Sequence, residues 1–240
     1  MSTEKPVIAL VHGAFAESAS WNRVIGRLNG HGLRAVAVAN PLRDLAGDAA
    51  YVRDAVAGIG RPVVLVGHSY AGMVITAAAA GDPAVRALVY VGAFTPDTGE
   101  SALELSGKFE GSTLGDALVG YPVASGGNEF RIDEEKYHQQ FCADLDAEEA
   151  ALMAATQRPV TERALGAALE VSEPAWRTKP SWFVFGESDR NIPAEVVRFM
   201  ADRASSRGTH EVAGASHAIA ASQPDAVVAS ILDAVGAVEG

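Results

Sequence analysis

The chain has 240 residues, of which 48% are hydrophobic and 20% charged, and 19 basic against 30 acidic side chains give it a net charge of −11. This composition is typical of a soluble globular protein and excludes a disordered one. The length allows one full core, or one core that carries a sizeable insertion. The acidic balance, without a basic stripe, argues against nucleic acid or an anionic membrane surface as a partner.

The chain shows no targeting or membrane-spanning pattern. Its first residues, 1–6, run directly into an apolar segment and lack the layout of a signal peptide. No apolar run approaches the ~20 residues that a spanning helix needs. The single cysteine, Cys142, excludes an intramolecular disulfide and a cysteine-based metal cluster. We therefore expect a cytoplasmic protein.

Short apolar runs alternate with helical patterns in the first part of the chain. Runs rich in apolar and β-branched residues predict buried strands at residues 7–11, 35–39, 63–66 and 87–94. Apolar residues at helical spacing predict helices that open near Ser20, span residues 48–59 and run from Val74 through Ala80.

This alternation stops after Phe94 and resumes near residue 181. Residues 95–179 contain no segment that indicates a buried strand, and a helix is expected over residues 160–171. The resumed pattern predicts strands at 181–186 and 209–214, a helix over 195–204 and a last helix that begins near Pro224.

Together these elements predict an α/β fold: a mostly parallel sheet of about six strands with helices on both faces. Residues 1–94 and 180–240 would form this core. Residues 95–179 would form a mainly helical lid, inserted after the strand that ends near Phe94. Ligands of open α/β sheets bind outside the carboxyl ends of the strands, and the insertion is placed to cover that edge.

The stretch Gly67-His68-Ser69-Tyr70-Ala71-Gly72 joins a predicted buried strand to a predicted helix. So tight a turn needs small residues two positions before and two positions after its apex, and Gly67 and Ala71 meet that need. This is the nucleophile-elbow arrangement, which raises Ser69 above the sheet beside a helix N-terminus. The commoner pattern has glycine in place of Ala71, and a chance Gly-x-Ser in an ordinary turn is the alternative interpretation.

A serine nucleophile needs a base, and the base needs a group that orients it. Asp189 and His217 each follow a predicted strand, and they give the order serine, acid, histidine that this kind of fold requires. Alone, Asp189 could cap the helix near Pro193, and His217 could be an ordinary loop histidine. In combination they predict a Ser69–His217–Asp189 triad, with Glu187 as the fallback acid.

The other histidines compete poorly as the base. His12 and His68 adjoin strand ends and are expected to brace loops, and His138 belongs to the predicted lid. The oxyanion of a tetrahedral intermediate needs preorganised donors, and we expect the backbone N–H groups of Ala14 and Tyr70.

Three aromatic residues near the predicted strand ends are candidate walls of a substrate pocket, although such residues more often belong to the core. They are Phe15, Phe94 and Trp176.

These motifs resemble the α/β-hydrolase superfamily along nearly the whole chain. They are His12-Gly13-Ala14, the elbow around Ser69, Asp189 and His217. His12-Gly13-Ala14 followed by Ser20-Trp21 is similar to the branch that holds plant methyl esterases and hydroxynitrile lyases. The resemblance implies a Ser-His-Asp esterase-type hydrolase that uses no metal and no cofactor.

We therefore expect a hydrolase that cleaves a small-molecule carboxylic ester through an acyl-enzyme; the oligomeric state is open, and a homodimer is compatible with the sequence. The alternatives are a cofactor-free lyase, perhydrolase or oxygenase on the same triad, or a ligand receptor that keeps the triad. In the lyases that this chain resembles, a lysine directly follows the catalytic histidine. Here Ala218 follows His217, which favours hydrolysis, and Lys179 is the one cation identified that could still reach in.

Overall fold

The computed structural model describes residues 5–239, so most of the N-terminal stretch expected to lack a signal peptide lies outside the described residues. The first part of the core alternates strands with helices. Its elements are β1 (Val7–Val11), α1 (Asn22–Gly30), β2 (Ala35–Val38), α2 (Leu45–Ile59), β3 (Val63–His68), α3 (Ala71–Ala78) and β4 (Val85–Val91). A short 3-10 turn, Ser18–Trp21, precedes α1.

Residues 95–179, called the insertion below, contain both helices and short strands. The elements are α4 (Ala102–Ser106), β5 (Leu118–Pro122), β6 (Asn128–Ile132), α5 (Glu134–Phe141), α6 (Ala147–Thr156), β7 (Val160–Thr161) and α7 (Glu162–Gly166). Two 3-10 turns, Leu114–Ala117 and Ala175–Arg177, complete it.

The last part of the chain completes the core. Its elements are β8 (Ser181–Gly186), α8 (Ala194–Arg203), β9 (Gly208–Val212), α9 (Ile219–Ser222) and α10 (Pro224–Glu239). The central sheet has six strands in the order β2-β1-β3-β4-β8-β9, and every neighbouring pair is parallel. This confirms the predicted α/β fold.

Helices cover both faces of the sheet, because alternate residues of each strand point to opposite sides. Ile8 and Leu10 pack in an apolar cluster with α1 and α10, whereas Ala9 and Val11 pack in a second cluster with α2, α3 and α8. All residues of β1 and β3 are buried, which explains why these strands are continuous apolar runs.

The helix expected over residues 160–171 is wrong. Val160–Thr161 forms β7, and only Glu162–Gly166 is helical. Thr161 ends the strand and begins the helix, since its hydroxyl accepts a hydrogen bond from the Ala164 N–H at 3.2 Å. The strands β5, β6 and β7 form a three-stranded antiparallel sheet that the sequence pattern did not indicate.

Some predicted boundaries shift for local reasons. Helix α2 begins at Leu45 and not at residue 48, because the Asp44 carboxylate accepts from the Gly47 N–H at 2.8 Å and caps the helix. Strand β4 ends at Val91 and not at residue 94, because Gly92 adopts φ +47° and turns the chain.

The insertion lies against loops at the carboxyl edge of the sheet. Arg158 O accepts from the Phe15 N–H at 3.0 Å, in the loop after β1, and Phe141 O accepts from the Ala218 N–H at 2.9 Å, beyond β9. The insertion therefore contacts the edge at which the predicted site residues lie. Within residues 5–239, no helix is both long enough and apolar enough to cross a membrane.

Candidate active site

Ser69 and Tyr70 form the whole turn between β3 and α3. Ser69 adopts φ +57°, a region that residues with a Cβ rarely occupy and that costs of order 1–3 kcal/mol. The surrounding packing must hold this conformation. The turn leaves Ser69 7% exposed at the carboxyl edge of the sheet.

Glycines around the turn allow backbone segments to approach each other closely. A Cβ on Gly67 would lie 2.8 Å from Ala71 O, which is the close contact expected two residues on either side of the apex. A Cβ on Gly72 would lie 2.0 Å from Phe94 O, so this position also requires glycine. The second requirement comes from the loop after β4, and the local pattern gave no sign of it.

Ser69, His217 and Asp189 form one continuous hydrogen-bonded chain. The Ser69 Oγ lies 2.9 Å from Nε2 of His217, and Nδ1 of the same ring lies 2.6 Å from Asp189 Oδ2. His217 is fully buried, and Asp189 is 6% exposed. The structure thus brings together the three side chains that the sequence selected as a triad.

The hydrogen bonds of Asp189 determine which nitrogen of His217 carries a proton. Asp189 Oδ1 accepts from the backbone N–H groups of Asn191 at 2.8 Å and Ile192 at 2.9 Å, which leaves Oδ2 to accept from His217. Nδ1 of His217 therefore donates, and Nε2 is free to accept the serine proton. Asp189 does not cap α8, which has no side-chain cap at its N-terminus.

Glu187, the fallback acid, has a different partner. Its Oε2 accepts from the Gly214 N–H at 3.0 Å, and the residue is exposed. Because this contact belongs to the turn after β9, the geometry favours Asp189 as the group that orients the histidine.

His12 braces the loop after β1. Its Nε2 accepts from the Asn40 N–H at 3.0 Å, and its Nδ1 lies 2.9 Å from Gly13 O, so Nδ1 carries the proton. Burial lowers the pKa of His12 to about 4.

His68 braces the loop of His217. Its Nε2 lies 2.9 Å from the His217 carbonyl oxygen, to which it donates. Burial, and then the neighbouring His217, hold the pKa of His68 well below the ordinary value of histidine. Both residues are thus neutral supports. His138, in the predicted lid, is bonded within the insertion, where its Nε2 lies 2.9 Å from Leu145 O.

The loop after β1 packs directly against the serine. A Cβ on Gly13 would lie 2.6 Å from the Cβ of Ser69 and 2.7 Å from His68 O, so only glycine fits. Within the described residues, the backbone N–H groups of Ala14 and Tyr70 have no hydrogen-bond acceptor. Two unpaired donors next to Ser69 are what a developing oxyanion needs.

Residues 15 and 70 are each tied to another part of the protein. Phe15 adopts φ +61°, and its carbonyl accepts from the hydroxyl of Tyr137 in the insertion at 2.7 Å. The Tyr70 hydroxyl donates to Asp48 Oδ2 in α2 at 3.0 Å. Burial raises the pKa of the Asp48 carboxyl. Burial, and then the negative charge of the neighbouring Asp48, raise the pKa of the Tyr70 hydroxyl. No pattern in the sequence indicated a contact between Asp48 and Tyr70.

The predicted pocket walls lie in different surroundings. The Phe94 N–H donates to the Ser69 carbonyl at 3.2 Å, so Phe94 is next to the turn. The Trp176 Nε1 donates to Pro96 O at 2.7 Å, and the Arg203 guanidinium lies 5.6 Å from the Trp176 ring centroid. These contacts attach Trp176 to the start of the insertion and to α8, and a role at the substrate stays a prediction.

Phe141, at the end of α5, was missed by the sequence analysis. Its ring meets the His217 ring edge-to-face, with centroids 4.9 Å apart and planes at 81°. It also packs against His68 at 6.1 Å. Its position in a segment without a strand pattern gave no reason to place it beside the base.

A cleft of about 380 Å³ opens between the core and the insertion. Its walls include Ala16, Ser20, Arg23, Tyr137, Leu152 and Met153. Arg23 Nη2 pairs with Glu149 across it at 2.7 Å. The residues that line the cleft do not include Ser69, Asp189 or His217, and its size suits a small organic molecule.

Lys179, the cation considered for lyase chemistry, lies elsewhere. Its Nζ donates to Asp82 O at 2.6 Å and to Val85 O at 2.9 Å. Val85 begins β4, so Lys179 is at the edge of the sheet opposite to Ser69. Among residues 5–239, no group of three or more His, Cys, Asp or Glu side chains is placed to hold a metal ion.

Comparisons with known proteins agree with this architecture. A family model described as the alpha/beta hydrolase family matches residues 8–230. The alpha/beta hydrolase nvfD of Aspergillus novofumigatus (strain IBT 16806) is 28% identical over 253 residues, 97% of this chain and 97% of that protein. Two solved structures share the fold. Polyneuridine aldehyde esterase has a TM-score of 0.82 at 20% identity, over 96% of this chain and 99% of that chain. The methylesterase MES16 from Arabidopsis has a TM-score of 0.77 at 16% identity, over the same shares.

Proposed function

The chain belongs to the alpha/beta hydrolase family, and from this premise we propose that it cleaves a small-molecule carboxylic ester through an acyl-enzyme on Ser69. The observation that carries the proposal is the hydrogen-bonded chain from Ser69 Oγ through His217 to Asp189, with distances of 2.9 and 2.6 Å. Polyneuridine aldehyde esterase and the methylesterase MES16, two solved proteins of the same fold, support an ester as the substrate class.

In the first half of the reaction, Ser69 Oγ attacks the acyl carbon of the ester while its proton passes to Nε2 of His217. The negative charge moves to the former carbonyl oxygen, which accepts from the N–H groups of Ala14 and Tyr70. Asp189 stabilises the doubly protonated imidazole ring through Nδ1. When the tetrahedral intermediate collapses, the carbon–oxygen bond breaks, and the alcohol leaves with the proton from Nε2.

In the second half, water takes the place of the alcohol. Nε2 of His217 removes a proton from this water, whose oxygen attacks the acyl carbon. The same two N–H groups hold the second oxyanion. Collapse releases the acid and returns the proton to Ser69 Oγ. The hydrogen bonds from Ser69 Oγ to His217 and from His217 to Asp189 support this route for the proton.

The alternative enzyme activity that would use the same three residues is that of a cyanohydrin-type lyase. Such a reaction releases an anion and calls for a positive charge beside the base. Ala218 follows His217, and Lys179 is bonded at the opposite edge of the sheet. This placement favours hydrolysis, and we expect no cyanide release from cyanohydrins above the uncatalysed rate.

The proposal is tested by labelling and turnover together. A fluorophosphonate should add one adduct mass to the wild type, and a panel of 4-nitrophenyl esters, lactones and thioesters should be turned over. Ser69→Ala should lose the label and the activity, because the nucleophile is gone. Ser188→Ala is the matched control, since Ser188 is exposed on the loop of Asp189. Labelling that survives Ser69→Ala would refute Ser69 as the nucleophile.

A further inference from the structure

The end of α5 contacts the loop that carries Asp189. Gln140 is 7% exposed, and its Nε2 donates to Asn191 Oδ1 at 2.8 Å and to Arg190 O at 3.0 Å. Its Oε1 accepts from the Thr113 hydroxyl at 2.9 Å, which fixes the orientation of the amide. The buried side chain of Gln140 is thus fully engaged, and two of its three bonds go to the two residues that follow Asp189.

The same end of α5 contacts the loop that carries His217. The Phe141 carbonyl accepts from the Ala218 N–H at 2.9 Å, and the Phe141 ring lies against the His217 ring. Asp144, just beyond the helix, accepts from the hydroxyl of Ser216. The residues on both sides of His217 are therefore bonded to residues 139–144, which we call the clamp.

We propose that the clamp, residues 139–144, positions the Asp189–His217 pair, with Gln140 as its main positioning residue. This inference rests on the proposed function, because it concerns the acid and base of that reaction.

The path from Gln140 to the base is short. Gln140 fixes the side chain of Asn191, and the Asn191 N–H is one of the two donors that fix Asp189 Oδ1. Asp189 Oδ2 then orients His217. A misplacement of about 1 Å at reacting groups costs on the order of 10²-fold in rate, so a support this close to the pair affects kcat.

The core supports the pair and also joins the two loops directly, because the Ser188 N–H donates to Ala215 O at 3.0 Å. His68 supports the His217 carbonyl, and the bonds of Asp189 Oδ1 come from its own loop. The two loops belong to different βα units, and Asp189 and His217 are 28 residues apart in the chain. The clamp adds bonds to the residues beside Asp189 and on both sides of His217, which further restrict the two side chains.

The test replaces Gln140 by methionine, which keeps the length and burial of the side chain and removes its three hydrogen bonds. We expect kcat for an activated ester to fall by about 10- to 100-fold, with KM changed by less than about threefold. The control is Lys136→Ala on the same helix, where Nζ donates to Asp116 O inside the insertion at 2.6 Å. It should match the wild type, and equal kcat for Gln140→Met and wild type would overturn the proposal.

A second measurement does not depend on turnover. The Nδ1 proton of a histidine bound to a carboxylate gives a far-downfield NMR signal, which should be sharp in the wild type and in Ser69→Ala. In Gln140→Met it should broaden or move upfield. An unchanged signal contradicts the clamp even if the protein proves not to be an esterase. If the wild type did not turn over any ester, the proposed function would be contradicted, whereas the positioning of Asp189 and His217 by the clamp would still be tested by the NMR signal.

Two further sets of variants, at Asp144 and at Asn191, test the route through the clamp. Asp144→Asn keeps an acceptor for the Ser216 hydroxyl and should retain kcat, whereas Asp144→Ala should lower it. Adding Gln140→Met to Asn191→Ala should cost clearly less than adding it to the wild type, because the two residues act in one path. Full additivity would show that Gln140 does not act through Asn191.

Discussion

The serine and its base are held in place in two different ways. The elbow from β3 to α3 is one continuous stretch, and close backbone contacts at Gly13, Gly67 and Gly72 hold it. The pair of Asp189 and His217 comes from two loops, and hydrogen bonds from residues of the insertion support both. The position of Ser69 therefore depends on the absence of side-chain atoms at three glycines, whereas the positions of Asp189 and His217 depend on the presence of particular polar groups.

This difference predicts different responses to mutation. An added methyl group at the elbow meets backbone atoms that cannot move away, so it should disturb stability and the serine together. Removal of a polar group from the acid–base side leaves the backbone in place, so it should reduce the rate and leave the fold intact. Substitutions at Asp189 and Gly13 test the acid–base side and the serine side separately.

The largest effect is expected for Asp189→Asn, which should lower kcat by about 10⁴-fold while the unfolding transition stays near that of the wild type. The new Oδ1 can still accept from Asn191 and Ile192, which turns Nδ2 toward His217. Nδ1 of His217 must then accept a hydrogen bond from this Nδ2, so Nε2 carries the ring proton. The ring can therefore no longer accept a proton from Ser69. Steady-state kinetics and urea unfolding measure both quantities.

Glu187→Gln is the matched control for this change, because Glu187 lies two residues away and bonds to the Gly214 N–H. It should leave kcat close to the wild-type value. If Glu187→Gln were the more damaging of the two, Glu187 and not Asp189 would be the acid.

Gly13→Ala should distort the turn that carries Ser69. Its Cβ would lie 2.6 Å from the Ser69 Cβ and 2.7 Å from His68 O, and the second atom is backbone. We expect kcat to fall by about 10²–10³-fold through the lost oxyanion geometry, and the free energy of unfolding to fall by about 1–3 kcal/mol.

The control for Gly13→Ala is Gly26→Ala, in the middle of α1, where nothing lies within 4 Å of the added Cβ. This change should stabilise the protein by about 0.5–1 kcal/mol and leave kcat unchanged. A Gly13→Ala variant as active as the wild type would show that the loop after β1 can retreat from the serine.

The last effect concerns stability and not rate: a pH dependence that involves His12 on the serine side and His68 on the acid–base side. The pKa of His12 is lowered to about 4, and that of His68 is also lowered, so both are neutral in the folded state where the unfolded chain still binds protons. The free energy of unfolding should therefore rise with pH from about 4 to about 6.5, by up to about 1.4 kcal/mol per pH unit for His12, and the lowered pKa of His68 adds a contribution of the same sign.

Urea titrations at a series of pH values measure this slope. His12→Asn should reduce the slope and leave the contribution of His68. A stability that is flat between pH 4 and 6.5 in the wild type would contradict the neutral role of both residues.

The sequence predicted much of the core, and it selected the three side chains that the structure joins by hydrogen bonds. Each strand buried on both faces is a continuous apolar run, and the turn at Ser69 is recognisable because its spacing is local. Asp189 and His217 were found because parallel strands place their carboxyl ends at one edge, so residues just after two strands must lie near Ser69. The insertion was predicted less well, since its strands are partly exposed; Val119 and Tyr121 in β5 are each 37% exposed.

By itself the sequence determined which segments are buried, in what order they alternate, and which residues follow the strand ends, because these properties depend on local spacing. Only the tertiary structure decided the partners: Gln140 with Asn191, Phe141 with His217, and Asp48 with Tyr70. Apolar periodicity reports that a face is buried but not what covers it. A polar side chain finds its acceptor only when segments distant in the chain pack together, and here that packing joins the insertion to the acid and base.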